Sequence, residues 1–114
     1  MKIIKKNQTE KFKNSDSCFA TEYRFKDDNT IDGALVEISG RYPDKGRVVN
    51  LECKEMAYVL NGLGKIFIDD KEIQLAEEDL ILIEPGEKYF WEGKLIMFVS
   101  CIPAWQADQH KKVE

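Results

Sequence analysis

The sequence predicts a single all-β domain, a small barrel or sandwich. Three observations carry this expectation. Short apolar runs recur at roughly 8–12-residue spacing. Turn chemistry separates them. Helical periodicity never persists for three turns in the body of the chain. The length of 114 residues suits one domain, since domains typically run ~100–150 residues.

The elements follow in order. Residues 18–26, CFATEYRFK, place Phe19, Thr21, Tyr23 and Phe25 on one side of a strand with period two. DDNTIDG is a turn. Residues 33–39 form a second strand, which GRYPDKG ends through Gly40, Pro43 and Gly46. A third strand is expected over 47–52 and a fourth, very apolar one over 56–60. Gly62 and Gly64 tighten a turn before a strand over 65–69. Asp69-Asp70-Lys71 then connects a hairpin to residues 72–75. The run 80–83 is continuously apolar and closed by Pro85-Gly86; strands over 89–92 and 95–101 complete the series.

This divides the chain into an N-terminal segment with a short strand extension (1–17), a barrel (18–102) and a tail (103–114). In the tail, AWQADQHKK has room for one or two helical turns. Pro103 and Trp105 are expected to pack back on the body, because a large aromatic in a polar segment is costly to leave in water.

Composition removes several function classes. Hydrophobic residues at 43% and charged residues at 33% describe a globular chain, not a disordered one. No apolar run approaches the ~20 residues of a membrane span. MKIIKKNQTEKFK carries charge with no apolar stretch behind it, so no signal peptide is expected. Seventeen basic against 21 acidic residues leave a net charge of −4. The only basic clusters are Lys2, Lys5 and Lys6, and Lys111 and Lys112, so a nucleic-acid partner is not expected. Cys18, Cys53 and Cys101 are odd in number and include no CxxC, which excludes zinc ribbons and thioredoxin-type motifs. Reduced thiols in a cytoplasmic protein are the expectation. No GxSxG, Walker or dinucleotide-type glycine motif is present. The two-sided apolar runs 56–60 and 80–83 call for a cover, and a homodimer supplies one.

From Glu55 to Trp91 the chain resembles the cupin superfamily. The carrying stretches are EMAYVLNGLGKIFID and EEDLILIEPGEKYFW. In the first cupin motif two histidines precede a glutamate, a strand and a glycine; Glu55, MAYVLN and Gly62 fit. In the second, an apolar strand and a proline-glycine turn precede a histidine; Asp79, LILI and Pro85-Gly86 fit. The resemblance implies one double-stranded β-helix, or jelly-roll, barrel.

It also implies four metal-ligand positions, and here the chain departs from the pattern. The paired histidine positions fall on Val48 and Asn50 (Val49 and Leu51 with the shorter spacing), and the later histidine falls on Tyr89. Only Glu55 survives. Such a site relies on several neutral imidazoles, and one carboxylate cannot hold an ion against water. No metal and no cofactor are therefore expected. A divalent ion held by Glu52, Cys53 and Glu55 is the disfavoured alternative. The single histidine, His110, is expected as an exposed tail residue.

The site candidates each keep two readings. Glu55, pointing into an apolar barrel, has the raised pKa of a general acid or base, or is a structural relic bonded to a neighbour. Tyr89, at a former ligand position, donates a proton or steadies an oxyanion, or is a core aromatic. Phe67 and Trp91 line the barrel or fill it. Asn50 orients a ligand or caps a turn. Cys101 is expected as a buried, inert thiol. The function expected first is binding of a small molecule of unspecified identity. The alternative is a metal-independent sugar isomerase, epimerase or lyase with Glu55 and Tyr89 as acid and base. The second alternative is a structural dimer with a filled barrel. An anionic ligand becomes plausible only if two of Arg24, Arg41 and Arg47 face the barrel mouth.

Overall fold

The computed structural model describes residues 1–114, and nine strands account for most of them. They are β1 (Glu10–Ser15), β2 (Cys18–Tyr23), β3 (Asp32–Tyr42), β4 (Arg47–Asn50), β5 (Lys54–Ile68), β6 (Lys71–Leu75), β7 (Leu80–Ile83), β8 (Lys88–Ile102) and β9 (His110–Val113). Two single 3₁₀ turns, Lys6–Gln8 and Ala107–Gln109, are the only helical pieces. No helix is long and apolar enough to cross a membrane.

Every strand pair is antiparallel. The hub is β8. Along one edge it pairs with β5 from Ile102↔Lys54 to Tyr89↔Ile68. Along the other it pairs with β3, and near its start with β4. β1 and β2 extend the sheet beyond β3, β9 extends it beyond β4, and β7 and β6 cover the free edge of β5. The sheet curls on itself around a packed end formed by Val48, Ile66, Ile83 and Leu95, all 1% exposed or less. The chain has the cupin fold.

The strand expectations hold with two mergers. Residues 56–60 and 65–69 are one strand, β5, and residues 89–92 and 95–101 are one strand, β8. The glycines between them bend a strand instead of ending it. Gly64 faces Gly93 across the ladder, and a β-carbon on Gly93 would come within 2.5 Å of the Gly64 α-carbon. Only glycine lets two backbones approach so closely at the curl.

The tail departs further. Its helical content is one 3₁₀ turn, after which the chain forms β9 and pairs with β4, Asn50 opposite His110. Trp105 packs back on the core as expected. Its backbone N–H donates to Asp32 Oδ2 at 3.1 Å, and its carbonyl accepts from the Arg24 guanidinium.

Candidate functional site

Period-two alternation decides what faces inward. On β5 the inward residues are Glu55, Ala57 and Val59; on β8 they run Tyr89, Trp91, Leu95, Met97, Val99, Cys101. On β2 the small Cys18 and Ala20 point in, and the aromatic side anchored by Phe19 points out. Small inward side chains leave space. The result is a cavity of about 440 Å³, bounded by β1, β2, β3, β5, β8 and the tail. That volume falls in the range of small-molecule sites.

One register row crosses the inner wall: Asp32 on β3, Cys101 on β8, Glu55 on β5. Glu55 is 8% exposed. Its Oε1 accepts from Asn50 Nδ2 at 3.2 Å and from the Cys101 thiol at 3.8 Å. Its Oε2 takes no hydrogen bond and is the oxygen that opens on the cavity. Burial pushes the carboxyl up to about 7, with Asp32 adding to the rise and the bonds from Asn50 and Cys101 opposing it. Near neutral pH Glu55 therefore exists in both protonation states.

Asn50 organises everything around it. Fully buried on β4, its Nδ2 donates to Glu55 and to the Tyr89 hydroxyl at 3.4 Å. Its Oδ1 accepts from Gln109 Nε2 at 3.2 Å and from His110 Nδ1 at 2.7 Å. Two donors and two lone pairs are all used, so the amide has one orientation. Because Oδ1 only accepts, His110 Nδ1 carries the hydrogen. Burial, helped by Lys112, lowers the imidazole to about 4, so it is neutral at pH 7. Its Nε2 then accepts from the Tyr42 hydroxyl at 3.2 Å. Burial raises Tyr42 to about 12 and holds Tyr89 well above the ordinary phenol value. Gln109 Oε1 accepts the backbone N–H groups of Glu52 and Cys53, fastening the tail to the start of β5.

The structure brings together Asn50, Glu55, Tyr89 and Trp91 from the sequence candidates. It corrects two expectations. His110 is not a free tail residue: β9 seats it on the cavity wall, tied to Asn50 and Tyr42. Phe67 does not line the barrel. A bulge between Val59 and Asn61 shifts the register of β5 by one residue. After it the even positions Ile66 and Ile68 face inward, and Phe67 turns out to stack on Phe90 at 4.2 Å. Arg41 and Arg47 lie over that same Phe90 ring. Arg24 is thus the only arginine lining the cavity, at its rim, 3.7 Å from Asp32. Tyr42, Gln109, Asp32 and Glu22 escaped the sequence reading, whereas Arg24 was named there as one of three arginines that could face the barrel mouth. The alternation on 18–24 carried a signal for Glu22 and Arg24, but Tyr42 and the tail join the site only through long-range pairing.

The residues do not fit the metal of a cupin centre. Val48 is an apolar core side chain, Asn50 is saturated, and Tyr89 is a neutral phenol bonded to Asn50. Glu52 faces solvent while Cys53 faces inward, so the thiolate–carboxylate alternative does not assemble either. No three His, Cys, Asp or Glu side chains gather with the geometry of an ion site. Cys101 is buried and its thiol is pushed upward, with the neighbouring Cys53 and burial as causes, as an inert thiol requires.

No protein-family model matches the chain, and no curated protein matches it by sequence. Solved structures do match by fold. Pac13 of Streptomyces, described as a unique nucleoside dehydratase, superposes with a TM-score of 0.87 at 18% identity, covering 100% of this chain and 92% of that one. Variants of that protein are known with uridine. Oxalate decarboxylase from Bacillus subtilis gives 0.81 at 11% identity over 96% of this chain and 31% of the other. KdgF from Halomonas sp. gives 0.71 at 10% identity over 95% and 97%.

Proposed function

We propose that this cupin-fold chain is a metal-independent acid–base enzyme that holds a small polar molecule in its barrel and moves a proton with Glu55. One observation carries the reading: a carboxyl poised near neutral pH presents an unbonded oxygen to the barrel cavity. Desolvation of a buried titrating carboxyl costs stability, and a role in proton transfer accounts for its retention. Simple binding, the first expectation from sequence, becomes the second reading.

The chemistry that fits is elimination or isomerisation. Ionised Oε2 takes a proton from carbon as general base. The protonated acid, or the Tyr89 hydroxyl, returns one to a leaving hydroxyl or to an oxygen that gains negative charge. Asn50 fixes Glu55 and Tyr89 relative to one another, which is the positioning such a step needs. Loss of water from a nucleoside-sized polyol is one instance, and the likeness to Pac13 supports that size of substrate.

The test is proton exchange. A panel of nucleosides, aldoses and ketoses is incubated in D₂O with protein stripped by chelator, and NMR follows deuterium incorporation or loss of water. Turnover by the stripped protein that Glu55→Gln abolishes supports the reading. Saturable binding with no exchange across the panel assigns the protein to the binding class instead.

A homodimer completes the proposal. The outer face of β5, β7 and β8 carries Met56, Tyr58, Leu60, Leu80, Leu82 and Phe98, each 37–59% exposed. Register makes them one patch, with Met56 beside Leu82 and Tyr58 between Leu80 and Phe98. They form one contiguous apolar surface of the kind that a subunit interface, at ~800 Å² per partner, covers. A second copy related by a two-fold axis covers like with like. Three unpaired thiols suit a reducing, cytoplasmic location.

A further inference from the structure

The charge of the cavity is lopsided. Three carboxylates line it, Glu22, Asp32 and Glu55, against one guanidinium, Arg24. Arg24 is already engaged: it faces Asp32 at 3.7 Å and donates to the Trp105 carbonyl. Asp32 in turn accepts the Trp105 N–H. Glu22 and Glu55 take part in no ion pair. The remaining basic group, His110, is neutral and occupied by Asn50 and Tyr42. Phe12, Trp91 and Trp105 supply aromatic surface to the same space.

Acidic side chains alone do not make a site. Here a nine-tenths buried carboxyl aims an unpartnered oxygen into the cavity. The group that complements it is a hydrogen-bond donor carrying positive charge. A carboxylate or phosphate would meet Glu22 and the part-ionised Glu55 and find no free arginine, since Arg41 and Arg47 lie outside over Phe90. Aromatic faces favour the same choice, because their quadrupoles attract cations.

We infer that the ligand of this cavity carries a protonated aliphatic amine, seated against Oε2 of Glu55 within the field of Glu22, and that anionic small molecules are excluded. The inference uses the same cavity as the acid–base reading and does not require turnover. It adds a consequence for Glu55. An ammonium at Oε2 favours the ionised carboxylate, so a carboxyl that is part-protonated when empty gives up its proton on binding. The amine thereby sets its own catalytic base.

The test uses one scaffold with three head groups: tyramine, tyrosol (the alcohol) and 4-hydroxyphenylacetate. Affinities are measured at pH 7 by calorimetry, and cavity resonances by NMR. Repetition in buffers of different ionisation enthalpy counts protons released. Tyramine is expected to bind at least about tenfold more tightly than tyrosol, with the carboxylate weakest and the preference shrinking at high salt. Proton release on tyramine binding is expected in the wild type and absent in Glu55→Gln. Glu22→Gln, at the partly buried rim, is expected to cut the preference severalfold and keep the proton release. Equal or tighter binding of tyrosol or the carboxylate overturns the inference, as does the absence of any cavity response to millimolar tyramine. Amine preference without proton exchange on any substrate removes the enzyme reading and leaves this one standing. Turnover of a neutral polyol with no amine preference does the reverse.

Discussion

The two faces of the sheet around residues 54–60 are inverted relative to an ordinary small protein. The inner face carries Glu55 and meets Asn50, Tyr89 and His110 in a closed polar network, while the outer face shows water Met56, Tyr58 and Leu60. The difference teaches how each face is held. Inside, every fully buried polar side-chain atom has a partner, and the loss of one strands several others. Outside, the apolar surface is non-directional and gains only when another surface covers it. Changes inside should therefore alter the site and the fold; changes outside should alter assembly alone.

The largest effect should come from Asn50→Ala. It removes four hydrogen bonds at once and leaves buried partners on Glu55, Tyr89, Gln109 and His110. At ~1 kcal/mol for each of the four bonds and more for stranded groups, a loss of about 4 kcal/mol or more is expected. Urea titration followed by circular dichroism measures it. A cost below about 1 kcal/mol would mean that the network is not the internal frame of the molecule.

Next is Leu80→Lys on the outer face. Leu80 is the most exposed residue of the self-facing patch, and a charge placed there appears twice in a two-fold interface. Dimer affinity should fall by about 2 kcal/mol or more, read as a shift to monomer by analytical ultracentrifugation, with urea stability of the monomer nearly unchanged. A wild type that sediments as monomer at micromolar concentration would remove the dimer.

The third effect is a slope. Glu55, raised to about 7 from an ordinary 4.5, contributes fully below 4.5 and less as pH rises toward 7. His110, lowered to about 4 from 6.5, contributes fully above 6.5 and less as pH falls toward 4. Between 4.5 and 6.5 the two oppose, and together they give the wild type little net slope. Glu55→Gln should unmask stability that rises with pH across this window, and His110→Asn stability that falls. Chemical denaturation at a series of pH values decides it; slopes of the same sign in both variants would refute the assignment.

The smallest effect should be Phe67→Leu. Phe67 stacks on Phe90 outside the barrel, with Lys65 over its own ring. The cost should stay near 1 kcal/mol, with ligand affinity unchanged. A marked loss of binding would return Phe67 to the cavity.

Much of this architecture was legible. Strand after strand is announced by apolar alternation and Gly-Pro breaks. Glu55, Asn50 and Tyr89 stand out because they flank the two motif-like stretches, and Trp105 because an isolated tryptophan needs cover. What was hidden has physical reasons. A bulge adds one residue without changing composition, so Phe67 counts inward on the same odd parity as Glu55 and lands outward. Gly62 and Gly64 read as a turn because glycine permits a turn and a close crossing alike. His110 joins the site only through the pairing of β4 with β9, 60 residues apart in sequence, and nothing local in QADQHKK reports that contact. Glu22 and Asp32 read as ordinary surface acids until the curl of the sheet turns them onto one cavity.

The bulge in β5 works like a reading frame. On one side of it odd-numbered residues are interior, on the other even-numbered ones, and the extra residue at Leu60 keeps both halves in phase with β8. Deleting Leu60 would take the bulge out and leave a regular ladder, with Phe67 still outside and Ile66 and Ile68 still inside. Removing a second residue would exchange inside for outside over the whole distal half of the strand, driving Phe67 into the barrel and Ile66 and Ile68 into water. The strand can therefore lose one residue at this point, but not two.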